Sequence, residues 1–252
     1  RENTFAAGSP VTDGEIVCFL FGSGDLVAFD LEGKELWKRN LQEEYGRFVI
    51  NWGYGASPLF FDGLLYVPIL HRGPSFVLGI DPKSGENVWE VMRENKANAE
   101  SQEAYTTPIP FKNGERWEIL VLGADCLSAH EPKTGDELWR WCGINPRNRP
   151  NFRHVSSALV GEDGMIFVTT PQHGPMHGLR VRGNQVEKLW ELTRPTPDAT
   201  TPLYYRGRLY AVDGRNQRMV CLEPESGKVI WSEDLDTHTF LRASPTGADG
   251  KV

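Results

Sequence analysis

ASPLFFDGLLYVPILHRGPSFVLGIDPKSGENVW, residues 56–89, is the stretch from which the rest of the chain can be read. A small or hydroxyl residue and Pro open it, and an apolar run then leads to Asp62-Gly63. Two further apolar runs follow, the second ending in Asp81, and a turn from Pro82 to Gly85 leads to Trp89. Asp-Gly between apolar runs supplies the positive φ values that two-residue hairpin turns demand, and LLYVPIL has the β-branched and aromatic content of a strand. In DPKSG, Pro stands where φ near −65° starts a turn and Gly where φ must become positive. The stretch therefore predicts four short antiparallel strands and no helix.

The same frame recurs. Copies begin at Gly8 (GSPVTDGEIVCFLFGSGDLVAFDLEGKELW), Thr106 (TTPIPFKNGERWEILVLGADCLSAHEPKTGDELW) and Thr200 (TTPLYYRGRLYAVDGRNQRMVCLEPESGKVIW). A copy from Ser156, SSALVGEDGMIFVTTPQHGPMHGLRVRGNQVEKLW, has lost its Pro and its acid. The first turn recurs at Asp13-Gly14, Asp62-Gly63, Asn113-Gly114, Asp163-Gly164, Arg206-Gly207 and Asp249-Gly250, and the Trp at 37, 89, 139, 190 and 231. Self-similarity at this period with four strands per repeat is the signature of propeller blades stacked face to face. The expected fold is an all-β β-propeller of four-stranded antiparallel blades. The blades lie near 6–41, 54–92, 104–141, 154–192 and 198–235, with the start of a sixth at 241–252, all in one propeller domain.

One Trp per blade at a constant register reads as packing between blades. A ring burying roughly 150–250 Å² contributes about 4–6 kcal/mol before entropy is subtracted. Trp37, Trp89, Trp139 and Trp231 are expected to be buried at equivalent places on outer strands. Ala28, Gly79, Ala129 and Cys221 share one strand position where a small residue lets neighbouring sheets approach, so Cys221 is read as a small buried hydrophobe.

Composition narrows the function classes. The 252 residues, 39% hydrophobic with 26 Gly and 17 Pro, suffice for a large turn-rich core. With 27 basic against 34 acidic residues the formal net charge is −7, which disfavours nucleic acid and anionic lipid. Uncharged runs such as Ile16 to Gly24 and Gly63 to His71 are far too short for a transmembrane helix. Cysteines 18, 126, 142 and 221 form neither a CxxC pair nor a metal-ligand cluster and leave the redox compartment open. The chain starts at Arg1 with no charged-then-apolar leader, so a signal peptide is expected to have been removed or not to be included. Neither a G-x-S-x-G elbow, an HExxH pair nor a Walker loop occurs.

VAFDLEGKELW, GIDPKSGENVW and CLEPESGKVIW resemble the pyrroloquinoline-quinone-like propeller repeat, whose hallmark is a strand ending Ala-x-Asp, a Thr/Ser-Gly turn and a Trp. WD-repeat and kelch signatures are missing. The resemblance covers nearly the whole chain and implies two possibilities: quinoprotein alcohol or sugar dehydrogenases, and cofactor-free scaffolds similar to the lipoprotein of the outer-membrane barrel-assembly machine. Such dehydrogenases carry a vicinal Cys-Cys disulfide and a Glu/Asn/Asp set holding calcium. This sequence has no Cys-Cys pair, its closest cysteines being Cys126 and Cys142, and no segment matches the calcium set. The resemblance thus implies a non-enzymatic periplasmic or otherwise extracytoplasmic scaffold without cofactor. The alternative is a fragment of a dehydrogenase using pyrroloquinoline quinone with calcium. Closed propellers of this kind need seven or eight blades, so the chain is expected to be a fragment.

In a propeller the links entering each innermost strand lie near the central channel. Here they are the irregular parts of the repeat: 42–55, 92–105, 142–155, 193–199 and 236–242. Variable loops on a rigid scaffold are where binding is usually placed. The candidate residues for a protein partner or small ligand are therefore Trp52, Tyr54, Glu103, Tyr105, Arg153, His154, Asp198 and Arg242. Arg147, Arg149 and Arg153 concentrate positive charge near Phe152, a combination able to hold a carboxylate or phosphate. His173 and His177 are spaced like metal ligands on a helix, but Gly174, Pro175 and Gly178 forbid helix there.

Overall fold

Each repeat folds into one sheet whose strands pair only with their nearest neighbours in sequence, as expected when every connection is a tight turn. The structure is a computed structural model and describes residues 4–171 and 174–252. The first sheet comprises β1 (Val11–Thr12), β2 (Ile16–Leu20), β3 (Asp25–Asp30) and β4 (Glu35–Asn40). The second holds β5 (Leu59–Phe61), β6 (Leu64–Ile69), β7 (Phe76–Ile80) and β8 (Asn87–Met92). The third holds β9 (Ile109–Asn113), β10 (Arg116–Gly123), β11 (Cys126–His130) and β12 (Glu137–Trp141). The fourth holds β13 (Leu159–Val160), β14 (Met165–Thr169), β15 (Met176–Arg182) and β16 (Gln185–Leu192). The fifth holds β17 (Leu203–Tyr205), β18 (Arg208–Asp213), β19 (Arg218–Leu222) and β20 (Val229–Asp234). These are the all-β propeller blades the repeat predicts.

The first hairpin turns behave as their residues require. Both central residues have positive φ at Asp62-Gly63, Asp163-Gly164, Arg206-Gly207 and Asp249-Gly250. In the third blade the pairing of Arg116 with Asn113 shifts the turn to Gly114-Glu115, with Gly114 at φ 63°.

The core lies between blades. Four buried apolar clusters occur, one at each contact between consecutive sheets, from the first pair (Leu26, Leu65, Leu78) to the last (Phe167, Leu209, Val220). At each contact a Trp crosses the gap. It pairs with the small residue of its own third strand: Trp37 with Ala28, Trp89 with Gly79, Trp139 with Ala129, Trp190 with Gly178 and Trp231 with Cys221. A β-bulge follows that residue in every blade. A Cβ built on Gly79 would lie 2.3 Å from the Trp89 ring, so the ring lies flat where a side chain would otherwise stand. On its far side the ring meets the next blade's turn. Trp37 Nε1 donates to Pro82 O at 2.7 Å, Trp89 to Pro132 O at 2.8 Å and Trp190 to Pro224 O at 2.7 Å. The Gly of the same turn leaves room for the ring: a Cβ on Gly85, Gly135 or Gly227 would come within 2.6 Å of it.

The fourth blade breaks this rule and the third compensates. β15 and β16 run on to Gly183-Asn184, so no Pro turn faces Trp139. Its indole donates instead to Glu118 Oε2 at 2.6 Å, a fully buried carboxylate of its own blade that also pairs with Arg116. Asn113 joins Glu118 to the carbonyl of Gly183, so the two blades stay linked.

Near the axis a second interaction repeats. The backbone N–H of Ser9 donates to Ser57 Oγ, that of Thr107 to Ser157 Oγ, that of Ser157 to Thr201 Oγ1, and that of Thr201 to Ser244 Oγ. The hydroxyls of Ser57, Ser157, Thr201 and Ser244 are thus blade-to-blade acceptors.

Trp231 departs from expectation. It is 38% exposed, because the described residues contain no sixth Pro-Gly turn to receive its ring. Trp37 is half-buried, whereas Trp89, Trp139 and Trp190 are buried. Trp89→Ala is expected to cost about 3–5 kcal/mol, and Trp231→Ala no more than about 1 kcal/mol. Urea unfolding of the two variants checks both values; equal costs would show that the far-side turn contributes nothing.

Candidate functional site

The links into the innermost strands are held by a few polar anchors. After β4, the side chain of Asn40 accepts from the backbone N–H groups of Gln42 and Glu43 and caps the short helix α1 (Leu41–Tyr45). The chain then runs to Trp52, whose indole donates to Glu100 Oε1 at 2.8 Å. The Arg153 guanidinium lies over the Trp52 ring, 5.1 Å from its centroid, with Nη1 3.4 Å from the same Glu100 oxygen. One carboxylate thus fixes both members of a cation–π pair drawn from different links.

Ser101 ties the next two links together. Its hydroxyl donates to Arg149 O at 2.6 Å and accepts from Phe152 N–H at 2.7 Å. A parallel bridge between Ala104 and His154 then carries the two links side by side towards the axis. On the far wall the Arg242 guanidinium sits over Phe240, 5.3 Å from its centroid.

Trp52, Tyr105, Arg153, Asp198 and Arg242 line one cleft of about 400 Å³, together with Phe240 and small residues. These residues come from five different links, which places the cleft at the channel mouth. Two arginines and three aromatics face a single lining carboxylate in an otherwise acidic chain.

The other three candidates lie beneath this surface. Tyr54 is 2% exposed, packs on Phe48 and donates its hydroxyl to Pro68 O. Gly53, with φ 86°, interrupts the extended alternation that would have kept Tyr54 on the side of Trp52. Glu103 is fully buried and accepts from Asn51 N–H and the Tyr105 hydroxyl, with Arg72 Nε 3.0 Å from its other oxygen. Burial pushes the Glu103 carboxyl and the Tyr105 phenol above their ordinary pKa ranges. His154, next to Arg153, points the opposite way along an extended segment; it is 1% exposed, with Nε2 3.6 Å from Asp125 Oδ1. As ligand-contacting candidates these three are corrected: they support the mouth from below.

A feature the sequence reading missed lies behind Asp125. Cys126 and Cys142 form a disulfide across β11 and the end of β12, at the rim of a second cleft of about 750 Å³. The repeat frame contained the signal. With Ala129 opposite Trp139 and Leu127 opposite Trp141, continuation of the ladder sets Cys126 opposite Cys142. His173 lies outside the described residues. His177 is buried on β15, edge-on to Trp141. Among the described residues no cluster of His, Cys, Asp or Glu could hold a metal ion.

The family model described as outer membrane protein assembly factor BamB matches residues 22–203 and 179–252. No curated protein matches the chain. Among solved structures, BamB from Moraxella catarrhalis is similar at 15% identity with a TM-score of 0.64, covering 90% of this chain and 64% of that one. A europium-containing methanol dehydrogenase is similar at 12% identity and a TM-score of 0.69, covering 96% and 63%. The computationally designed Ika8 protein follows at 14% and 0.66, covering 96% and 65%. The chain therefore spans less than two thirds of the length of each. At these identities the likeness is one of fold.

His71 beneath the mouth makes stability sensitive to pH. Its Nδ1 accepts from Gly73 N–H at 2.8 Å and Val49 N–H at 3.3 Å, which puts the ring proton on buried Nε2. Burial lowers the pKa of His71 to about 4, and that of His177 likewise to about 4. An unfolded imidazole titrates near 6.5, so below that pH the unfolded chain binds protons that the folded chain refuses. Stability should be full above pH 6.5 and decline as pH falls towards 4, by on the order of 1–2 kcal/mol per histidine at pH 5. Urea midpoints at pH 7 and pH 5 check this, and His71→Asn should remove about 1–2 kcal/mol of the loss, buried His130 and His177 supplying more of it; an unchanged slope in that variant would dismiss the assignment.

Proposed function

The chain belongs to the outer membrane protein assembly factor BamB family, and from that membership together with the mouth cleft we propose that it is a rigid, non-catalytic, extracytoplasmic scaffold. It holds a protein partner or small ligand at the channel-side links. The observation that carries this reading is the convergence of Trp52, Tyr105, Arg153, Asp198 and Arg242 on one cleft. Residues shared by every blade are committed to stacking, so specificity must come from residues that differ between blades, and these differ. Aromatic and Arg side chains are also the types that most often dominate binding energy once desolvated. The disulfide supports the location, since such bonds form and persist in oxidising compartments.

A photo-crosslinking residue introduced at Tyr105 in the native host should yield a discrete adduct, and the same residue at exposed Val88 on an outer strand should yield none. Trp52→Ala and Arg153→Ala should each weaken capture of that partner by about 1–3 kcal/mol while leaving the thermal midpoint within a few degrees. Adducts from Val88 alone would move the partner to the side of the propeller and reject the cleft.

The quinone-dehydrogenase reading rests on the same fold. Calcium takes six to eight oxygen ligands, and the described residues offer no group of acidic side chains for it. The disulfide of this chain joins residues 16 apart and lines the other cleft rather than the channel mouth. These residues do not fit the cofactor. Incubation with pyrroloquinoline quinone and calcium should give neither saturable binding nor dye-linked oxidation of alcohols or sugars; turnover would overturn the scaffold reading.

A further inference from the structure

The two sulfurs of the disulfide stand in different surroundings. Cys126 is 7% exposed at the inner end of β11, while Cys142 is an exposed residue just past the end of β12. The cleft beside them has Lys96, Arg140 and Asn148 on its walls. The other two cysteines, Cys18 and Cys221, are buried in the first and fifth blades and are free thiols.

The backbone of Cys126 is held by a buried arginine. Arg93 is 2% exposed, and its guanidinium donates to the carbonyls of Cys126 at 2.9 Å and Gly123 at 2.8 Å and to Ser128 Oγ at 3.2 Å. Among the described residues none of the ion pairs includes Arg93, and its hydrogens go to backbone carbonyls and Ser128 Oγ.

We propose that Cys126–Cys142 is a thiol–disulfide exchange site, addressed through the adjoining cleft by a protein dithiol of the Cys-x-x-Cys class. The partner's thiolate attacks Cys142 Sγ; the new S–S bond forms there as the Cys142–Cys126 bond breaks, and Cys126 leaves as a thiolate. The partner's second thiolate then attacks its own sulfur in the mixed disulfide and releases Cys142 as a thiolate. The partner is oxidised from dithiol to disulfide, the protein disulfide is reduced by two electrons, and the two protons shed by the partner's thiols end on Cys126 and Cys142.

The fold tolerates this reaction. The ladder between β11 and β12 continues through Leu127 and Trp141 without help from the disulfide, which lies one residue beyond it. What the bond holds is the start of link 142–155. Its remaining ties near that end are buried Ile144 and the Asn145 side chain, which donates to Asp125 Oδ2 and Arg149 O. Reduction therefore loosens a link whose far end delivers Arg153 to the channel mouth, while the blade stays paired.

The test uses the chain under native conditions. Treatment with dithiothreitol followed by N-ethylmaleimide should add two alkyl groups per chain, mapped to Cys126 and Cys142, and none without the reductant. A thioredoxin-type oxidoreductase with its second active-site Cys replaced by Ser should be trapped as a mixed disulfide on Cys142. Reduction should speed tryptic cleavage after exposed Arg147 about tenfold and leave cuts at Lys83 and Lys133 unchanged, Arg149 being shielded by Pro150. The double variant Cys126→Ser with Cys142→Ser should cleave at the fast rate without reductant; if it does not fold, chemical reduction of the unaltered chain carries the comparison. Alkylation only after denaturation, or an adduct on Cys126, would overturn the exchange site. An unchanged rate at Arg147 would overturn the release of the link.

Discussion

Each blade of this propeller is too thin to bury anything by itself, and the interaction that resolves this is an indole laid across the gap to the next sheet. The Trp ring rests on Ala28, Gly79, Ala129 or Gly178 of its own blade, and in three of these contacts its N–H reaches the Pro carbonyl of the following turn. That single contact buries a large apolar surface and satisfies a polar hydrogen that would otherwise be stranded. It also explains why small residue, bulge, acid, Pro, Gly and Trp recur together: each shapes one side of the same slot. The acid belongs to this set because its carboxylate accepts turn N–H groups, as Asp81 does from Lys83 and Glu131 from Lys133 and Thr134.

The third contact tests this logic. Where the fourth blade gives up its Pro turn, the indole N–H of Trp139 still needs an acceptor, and Glu118 provides one. A buried carboxylate would be costly alone, so Arg116 and Asn113 accompany it, and both reach across to the altered turn. One change in a turn has thus drawn a polar network of three residues into the neighbouring blade.

Stacking leaves the links free to vary, and the channel mouth is built from them. Ser101 and Glu100 sit in one short turn between Ala99 and Gln102, yet they anchor links on both sides: Trp52 and Arg153 through Glu100, Arg149 and Phe152 through Ser101. The mouth is therefore a surface of non-repeating residues on a repeating support. The family to which the chain belongs is described as outer membrane protein assembly factor BamB.

The sequence alone determined the blades, because the signals are local: Asp-Gly turns demand positive φ, period-2 runs demand strands, and a Trp at constant register demands a slot. It also placed Trp52, Tyr105, Arg153, Asp198 and Arg242 on the same side of the molecule, since every link into an inner strand approaches the axis. Only the tertiary structure decided which of the neighbouring residues turn away. The φ of Gly53 sends Tyr54 into the core, extended alternation sends His154 beneath Arg153, and Glu103 is drawn under by Asn51, Arg72 and Tyr105. The burial of Glu103 depends on Asn51 and Arg72, partners far away in sequence that a repeat frame does not encode. Exposure of Trp231 belongs to the same class, whereas the repeat frame already set Cys126 opposite Cys142. The exposure of that indole is set by what lies opposite across a gap, and that is a property of the folded chain rather than of any stretch of it.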